Sequence, residues 1–176
     1  MSDSRRNFLV KSFGASGAAW LAANWPAQVA AAEKAFGMGA FTYFTREQAA
    51  DVDAIAAQVY PSDSTPGAKE AQVIYFIDLA LVTFAQDKQD IYAKGLADLS
   101  TRTGGKRFAS LPSGEQIALL TSIEKTPFFK TVRDHTIMGM FAAPQHGGNY
   151  KKVGWTQIGF DDSLNFRAPF GAYDKA

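Results

Sequence analysis

The sequence predicts an all-α fold, a compact bundle of about five helices followed by an irregular, aromatic-rich C-terminal tail. Three observations predict it. Apolar residues recur at helical spacing from Thr45 to Ala142. Helix-opening signals punctuate that stretch, either Thr or Ser three residues before Gln, or Thr directly before Pro. Beyond Pro144 the periodicity stops, and Gly, turn residues and rings take over.

The first helix opens at Thr45, where Gln48 three residues on completes a capping box. Ala49, Val52, Ile55, Ala56 and Val59 share one face, and Tyr60-Pro61 ends it. Ser62 to Gly67 is a turn in which Thr65 is expected to cap the next helix and Pro66 to open it. From Ala71 to Gln86 the only formal charge is Asp78, so this helix is apolar nearly all round and belongs at the centre. The uncharged run after Asp78 is too short to span a bilayer. Asp78 is expected to be a partnered structural carboxylate, with an arginine such as Arg133 as its counter-ion.

A third helix is predicted over Asp87–Arg102, with Ile91, Tyr92, Leu96 and Leu99 inward and Gly104-Gly105 as the stop. Ser113 and Gln116 predict a second capping box, with Ile117, Leu119, Leu120 and Ile123 lining the fourth helix. Thr126-Pro127 opens the fifth, which runs to about Ala142 with Phe128, Phe129, Val132, Met138 and Phe141 inward. The tail carries Trp155, Phe160, Phe166, Phe170 and Tyr173, too many rings for an unstructured segment. They are expected to bury against the bundle or against a partner.

Ahead of the bundle, Ser4-Arg5-Arg6-Asn7-Phe8-Leu9-Val10-Lys11 has the pattern of a twin-arginine export signal, carried by Arg5, Arg6, Phe8 and Leu9. The weakly apolar stretch Phe13–Ala23 is too short for an anchor, and Ala27 to Ala32 offers small residues to a signal peptidase. The expected organisation is a signal peptide over 1–32, a linker over 33–44, the bundle over 45–143 and the tail over 144–176. Export of folded chains serves mainly proteins that carry a cofactor or leave bound to one that does.

Removing residues 1–32 takes away three bases and one acid, leaving fifteen bases against sixteen acids. That balance excludes the one-sided basic surface selected by nucleic acid or an anionic membrane. The absence of cysteine excludes disulfides, Cys-ligated zinc, iron–sulfur clusters and covalent c-type haem in this chain. Two histidines, His135 and His146, do not make a metal site by themselves.

Catalytic candidates are few. Asp134-His135 reads as a capping or surface pair. His146 sits in Pro144-Gln145-His146-Gly147-Gly148-Asn149, where Gly and Asn supply the positive-φ positions of a tight turn. Phe36-Gly37-Met38-Gly39-Ala40 lacks the third glycine, the preceding strand and the acidic partner of a dinucleotide loop. A free-standing hydrolase using His146 with Asp161 or Asp162, and a module whose rings stack on sugars, are the competing readings.

Thr65-Pro66-Gly67-Ala68-Lys69-Glu70-Ala71, Phe76-Ile77-Asp78, Phe128-Phe129, and His146-Gly147-Gly148-Asn149 through Gly154-Trp155 to Ile158-Gly159-Phe160 follow in order. Together they resemble the small subunit of gluconate 2-dehydrogenase-type enzymes over roughly Phe44–Phe160. The resemblance implies a periplasmic complex associated with the inner membrane. Its large subunit is an FAD-dependent flavoprotein of the glucose-methanol-choline type, and a cytochrome subunit carries haem c. This chain is then a cofactor-free accessory subunit that stabilises the flavoprotein and escorts it through the twin-arginine translocase. Expected partner contacts are the tail rings Trp155, Phe160, Phe166 and Phe170, and the loop His146, Gly147, Gly148 and Asn149.

Overall fold

The computed structural model describes residues 41–162. The expected signal peptide, most of the linker, and Phe166, Phe170 and Tyr173 lie outside the described residues. Among the described residues there are six α-helices and no strand: α1 (Arg46–Val59), α2 (Val73–Val82), α3 (Gln89–Arg102), α4 (Ser113–Ser122), α5 (Pro127–Phe141) and α6 (Val153–Gln157).

Both halves of the first capping box form. The Gln48 N–H donates to Thr45 Oγ1 at 3.2 Å and the Thr45 N–H donates to Gln48 Oε1 at 3.0 Å. Ala49, Val52, Ile55 and Ala56 then face the core, as their spacing requires. Thr126 likewise caps α5 by accepting the Phe129 N–H at 3.2 Å, ahead of Pro127.

α2 is the central helix, with Val73, Ile74, Phe76, Ile77, Ala80 and Leu81 buried. It packs against α1 and α5, while α5 also touches α1 and α3. The chain does not enter α2 from Thr65-Pro66. Thr65 instead gives its N–H and hydroxyl to Asp63 Oδ1, at 2.8 and 3.0 Å, closing a local turn that leaves it nothing to cap. The helix starts eight residues after Thr65, behind Gln72 in left-handed conformation at φ 54°.

Asp78 is 4% exposed and does not meet Arg133. Its Oδ2 accepts the Thr42 N–H at 2.7 Å, and its Oδ1 accepts those of Tyr43 and Phe44 at 3.0 and 2.9 Å. Arg133 pairs with its neighbour Asp134 at 3.1 Å. Three backbone donors therefore do what one guanidinium was expected to do. They also staple the bent approach to α1 onto α2, with Phe44 buried against Tyr92 at 5.6 Å between ring centroids.

The predicted box at α4 does not form, because Gln116 is drawn inward. Its amide donates to the carbonyls of Phe108 and Leu111, both at 3.1 Å, and its Oε1 accepts from Gln58 at 2.7 Å. Pro112 takes the cap position. Turning Gln116 in turns Ile117 out, and it is 52% exposed rather than lining the core. α3 and α5 approach closely at Gly95, where an added Cβ would lie 2.1 Å from the Phe128 ring. α5 is rotated so that Val132, His135, Thr136, Gly139 and Met140 are inside, which leaves Met138 outside.

Between Pro144 and Asp162 the chain is more ordered than its composition suggests. Two 3-10 turns, Pro144–His146 and Tyr150–Lys152, lead into α6, which lies against α5.

Candidate functional site

The segment expected to contact a partner begins at the end of α5. Gly147 has φ 97°, and a Cβ there would sit 3.0 Å from the Tyr75 backbone carbonyl. A Cβ on Gly148 would sit 2.2 Å from the Gly139 carbonyl oxygen. Asn149 is fully buried with φ 48°; its Nδ2–H donates to the Ala142 carbonyl at 3.0 Å and its Oδ1 accepts the Gly154 N–H at 2.8 Å. One side chain thus closes the last turn of α5 and the first turn of α6. Gly147, Gly148 and Asn149 form an internal joint, filled by the protein's own backbone, with no room to cradle a phosphate. Of this loop only His146 faces outward.

Trp155 is half-buried. Its Nε1–H donates to the Phe141 carbonyl at 2.7 Å, and its ring meets Phe160 edge-on at 4.9 Å. Phe160 is 53% exposed. Gly154 has to be glycine here, since a Cβ would fall 2.0 Å from the Met140 carbonyl oxygen. Arg5, Arg6, Phe8, Leu9, Phe166 and Phe170 lie outside the described residues.

Next to this joint the surface opens into an apolar groove of about 540 Å³. Phe76 and Phe84 form one wall, Ile137, Met138, Phe141 and Ala142 the other, and His146 sits at the rim. Phe84, Ile137 and Met138 are 61%, 43% and 45% exposed. Sequence reasoning missed Phe84 and Ile137 as surface residues and placed Met138 and Phe141 in the core. A signal was present: Ile137 and Met138 are adjacent on a helix and within four residues of Phe141, more apolar surface than one inward stripe can hold.

Two of the candidate acid–base groups, His135 and Asp162, are paired within the protein, whereas His146 is exposed at the rim of the groove. His135 is buried rather than on the surface. Its Nδ1 lies 3.1 Å from the Tyr92 hydroxyl, and the two rings stack 5.8 Å apart at 21°. Burial holds the imidazole below its ordinary pKa, against the opposing pull of Asp134, and pushes the Tyr92 phenol up. Asp162 pairs with Lys152 at 2.6 Å. Among the described residues no group of three or more His, Asp or Glu could hold a metal ion, and no helix is long and apolar enough to cross a membrane.

The model of one protein family, described as gluconate 2-dehydrogenase subunit 3, matches residues 46–162. No curated protein and no solved structure matches the chain.

Proposed function

The chain belongs to the gluconate 2-dehydrogenase subunit 3 family, and from that premise we propose that it is the non-catalytic small subunit of a periplasmic FAD-dependent dehydrogenase acting on a sugar, sugar acid or polyol. The single observation that carries this reading is the extent of the family match, from the first residue of α1 to Asp162. In this reading FAD belongs to a large catalytic subunit and haem c to a cytochrome subunit. The small subunit stabilises the flavoprotein and takes it, already folded, through the twin-arginine translocase. Arg5, Arg6, Phe8 and Leu9 supply the signal. The complex as a whole then sits at the inner membrane, with this chain held there by its partners.

The commitment of His135 to Tyr92 and of Asp162 to Lys152 supports an accessory role. His135 is buried beside a tyrosine whose phenol is itself buried, and Asp162 is held by a lysine, so neither is set beside His146 as a catalytic pair.

The test is purification of the tagged full chain from the periplasm of cells that also express the flavoprotein. The expected result is a larger chain that co-elutes with flavin absorbance and oxidises a sugar or sugar acid with a dye acceptor. A chain that elutes alone and colourless, with the flavoprotein active and exported in its absence, overturns the reading.

A further inference from the structure

We propose that the groove between the end of α2 and the second half of α5 is the seat of the chain's own C-terminal segment, residues 163–176, with the rings of Phe166 and Phe170 as its anchors. The inference goes beyond the accessory-subunit reading and does not depend on it, because groove and occupant both belong to this chain.

The groove, of about 540 Å³, gathers three exposed apolar side chains, Phe84, Ile137 and Met138. Apolar side chains scattered singly over a surface need no explanation, whereas a concave cluster of them marks an interaction site. Its floor is Phe76, 3% exposed and held by the core, with its ring 6.0 Å from that of Phe84. The lining includes no Asp, Glu, Lys or Arg. A charged side chain entering it would lose its hydration with nothing in return, and an aromatic ring would gain.

The choice of occupant comes from where the described chain ends. The Trp155 indole donates to the carbonyl of Phe141, a residue of the groove wall, and packs on Phe160, whose N–H returns to the Trp155 carbonyl at 2.9 Å. Two residues on, Asp162 is held to Lys152 at 2.6 Å. The chain therefore leaves the described domain from a point fixed beside the end of α5. Met138 lies one turn of that helix before Phe141, about 4.5 Å along the axis. At roughly 3.3 Å per extended residue, Phe166 can stand about 13 Å from Asp162 and Phe170 about 26 Å, enough to reach the groove.

The segment also has the pattern the groove requires. Leu164, Phe166, Ala168, Phe170 and Ala172 alternate with Ser163, Asn165, Arg167, Pro169 and Gly171. A period of two sets the apolar residues along one edge of an extended chain, and Asn165 and Arg167 along the other. Pro169 opposes a helix through this stretch and favours an extended Ala168. So short a tether holds the segment at an effective concentration of about millimolar, so a weak contact fills the groove. A second copy or a free partner has no such advantage.

Because the chain has no cysteine, the contact can be read by engineered pairs. Met138→Cys is combined with Phe166→Cys or with Phe170→Cys in the full chain, and each purified protein is oxidised. The same tail cysteines paired with Ile117→Cys, exposed on α4, are the controls. At least one groove pair should close an intramolecular disulfide about tenfold faster than its control. In parallel, hydrogen exchange of residues 137–142 is followed in the chain alone, for wild type and for Phe166→Ser with Phe170→Ser. Those amides should exchange about tenfold faster once the rings are gone. This second comparison changes nothing in residues 41–162, so it decides the matter if Met138→Cys fails to fold. Both groove pairs closing no faster than their controls, or exchange that the tail substitutions leave unchanged, overturns the proposal. Disulfide-linked dimers of Met138→Cys alone, formed in preference to the intramolecular pairs, place a second copy in the groove and overturn it. Protection of residues 137–142 that arises only with the flavoprotein bound gives the groove to the catalytic subunit and overturns it too.

Discussion

The carboxylate of Asp78 accepts the backbone N–H of Phe44 at 2.9 Å, across a sequence separation of 34 residues. With the Thr42 and Tyr43 amides on the same carboxylate, this bond fixes where the chain enters α1. A buried carboxylate that replaces its water with three donors is stable as long as all of them remain.

Asp78→Ala should therefore cost about 3 kcal/mol, since it leaves three amides without acceptors in a mostly buried site. Asp78→Asn should cost less, because its carbonyl oxygen keeps part of the set. Arg133→Ala should stay within about 0.5 kcal/mol, as expected for one partner of an exposed pair. Urea denaturation of the three variants decides between them. An Arg133 effect as large as that of Asp78 would restore the ion-pair reading.

Asn149 joins α5 to α6, and Asn149→Ala should cost about 2–4 kcal/mol, from two lost hydrogen bonds and a left-handed backbone that Ala resists. Asn149→Gly relieves the backbone but not the bonds, so it should recover part of that loss. Thermal unfolding measures the cost, and limited proteolysis between Pro144 and Asp162 shows whether the segment has come loose. Equal damage from Ala and Gly would mean that the side-chain bonds carry all of it.

His135 gives the fold a pH dependence whose sign follows from its lowered pKa. The unfolded chain binds a proton near pH 6.5 that the buried imidazole refuses, so unfolding takes up a proton below that pH and stability falls as pH drops. Asp134 and Asp87 oppose the shift and Lys88 adds to it, but burial is the largest cause. His135→Phe should remove this slope between pH 6.5 and 5 while keeping a ring stacked on Tyr92. Stability curves for wild type and variant that run parallel over that interval would count against the assignment.

Arg5→Lys together with Arg6→Lys keeps the charge and removes the guanidinium pair that the translocase reads. The expected outcome is retention of this chain in the cytoplasm together with its flavoprotein, measured by fractionation and immunoblot. Normal periplasmic levels of the double variant would sink the export proposal.

Local signals were legible where the physics is local. Thr45 with Gln48, and Thr126 with Pro127, announce α1 and α5 because a cap satisfies amides three residues away. The apolar run around Asp78 announced a central helix because no face of it tolerates water. Thr65 and Ser113 carry the same kind of signal, yet other partners claimed the groups involved. Asp63 took the Thr65 hydroxyl, and Gln58, Phe108 and Leu111 took the Gln116 amide, with Gln58 also reaching the Ser113 hydroxyl.

The sequence by itself determined that this is a helical domain with a buried Asp78, a turn-forming His146-Gly147-Gly148-Asn149 loop and no cysteine chemistry, because periodicity and composition act over a few residues. Tertiary structure alone decided that Asp78 binds amides rather than Arg133, that His135 lies inside against Tyr92, and that Phe84 meets Ile137 and Met138 across a groove. Backbone amides carry no side-chain identity to read along the chain. The rotation of α5 that exposes Met138 is set by close packing against α2 at Gly139, where an added Cβ would lie 2.9 Å from Val73.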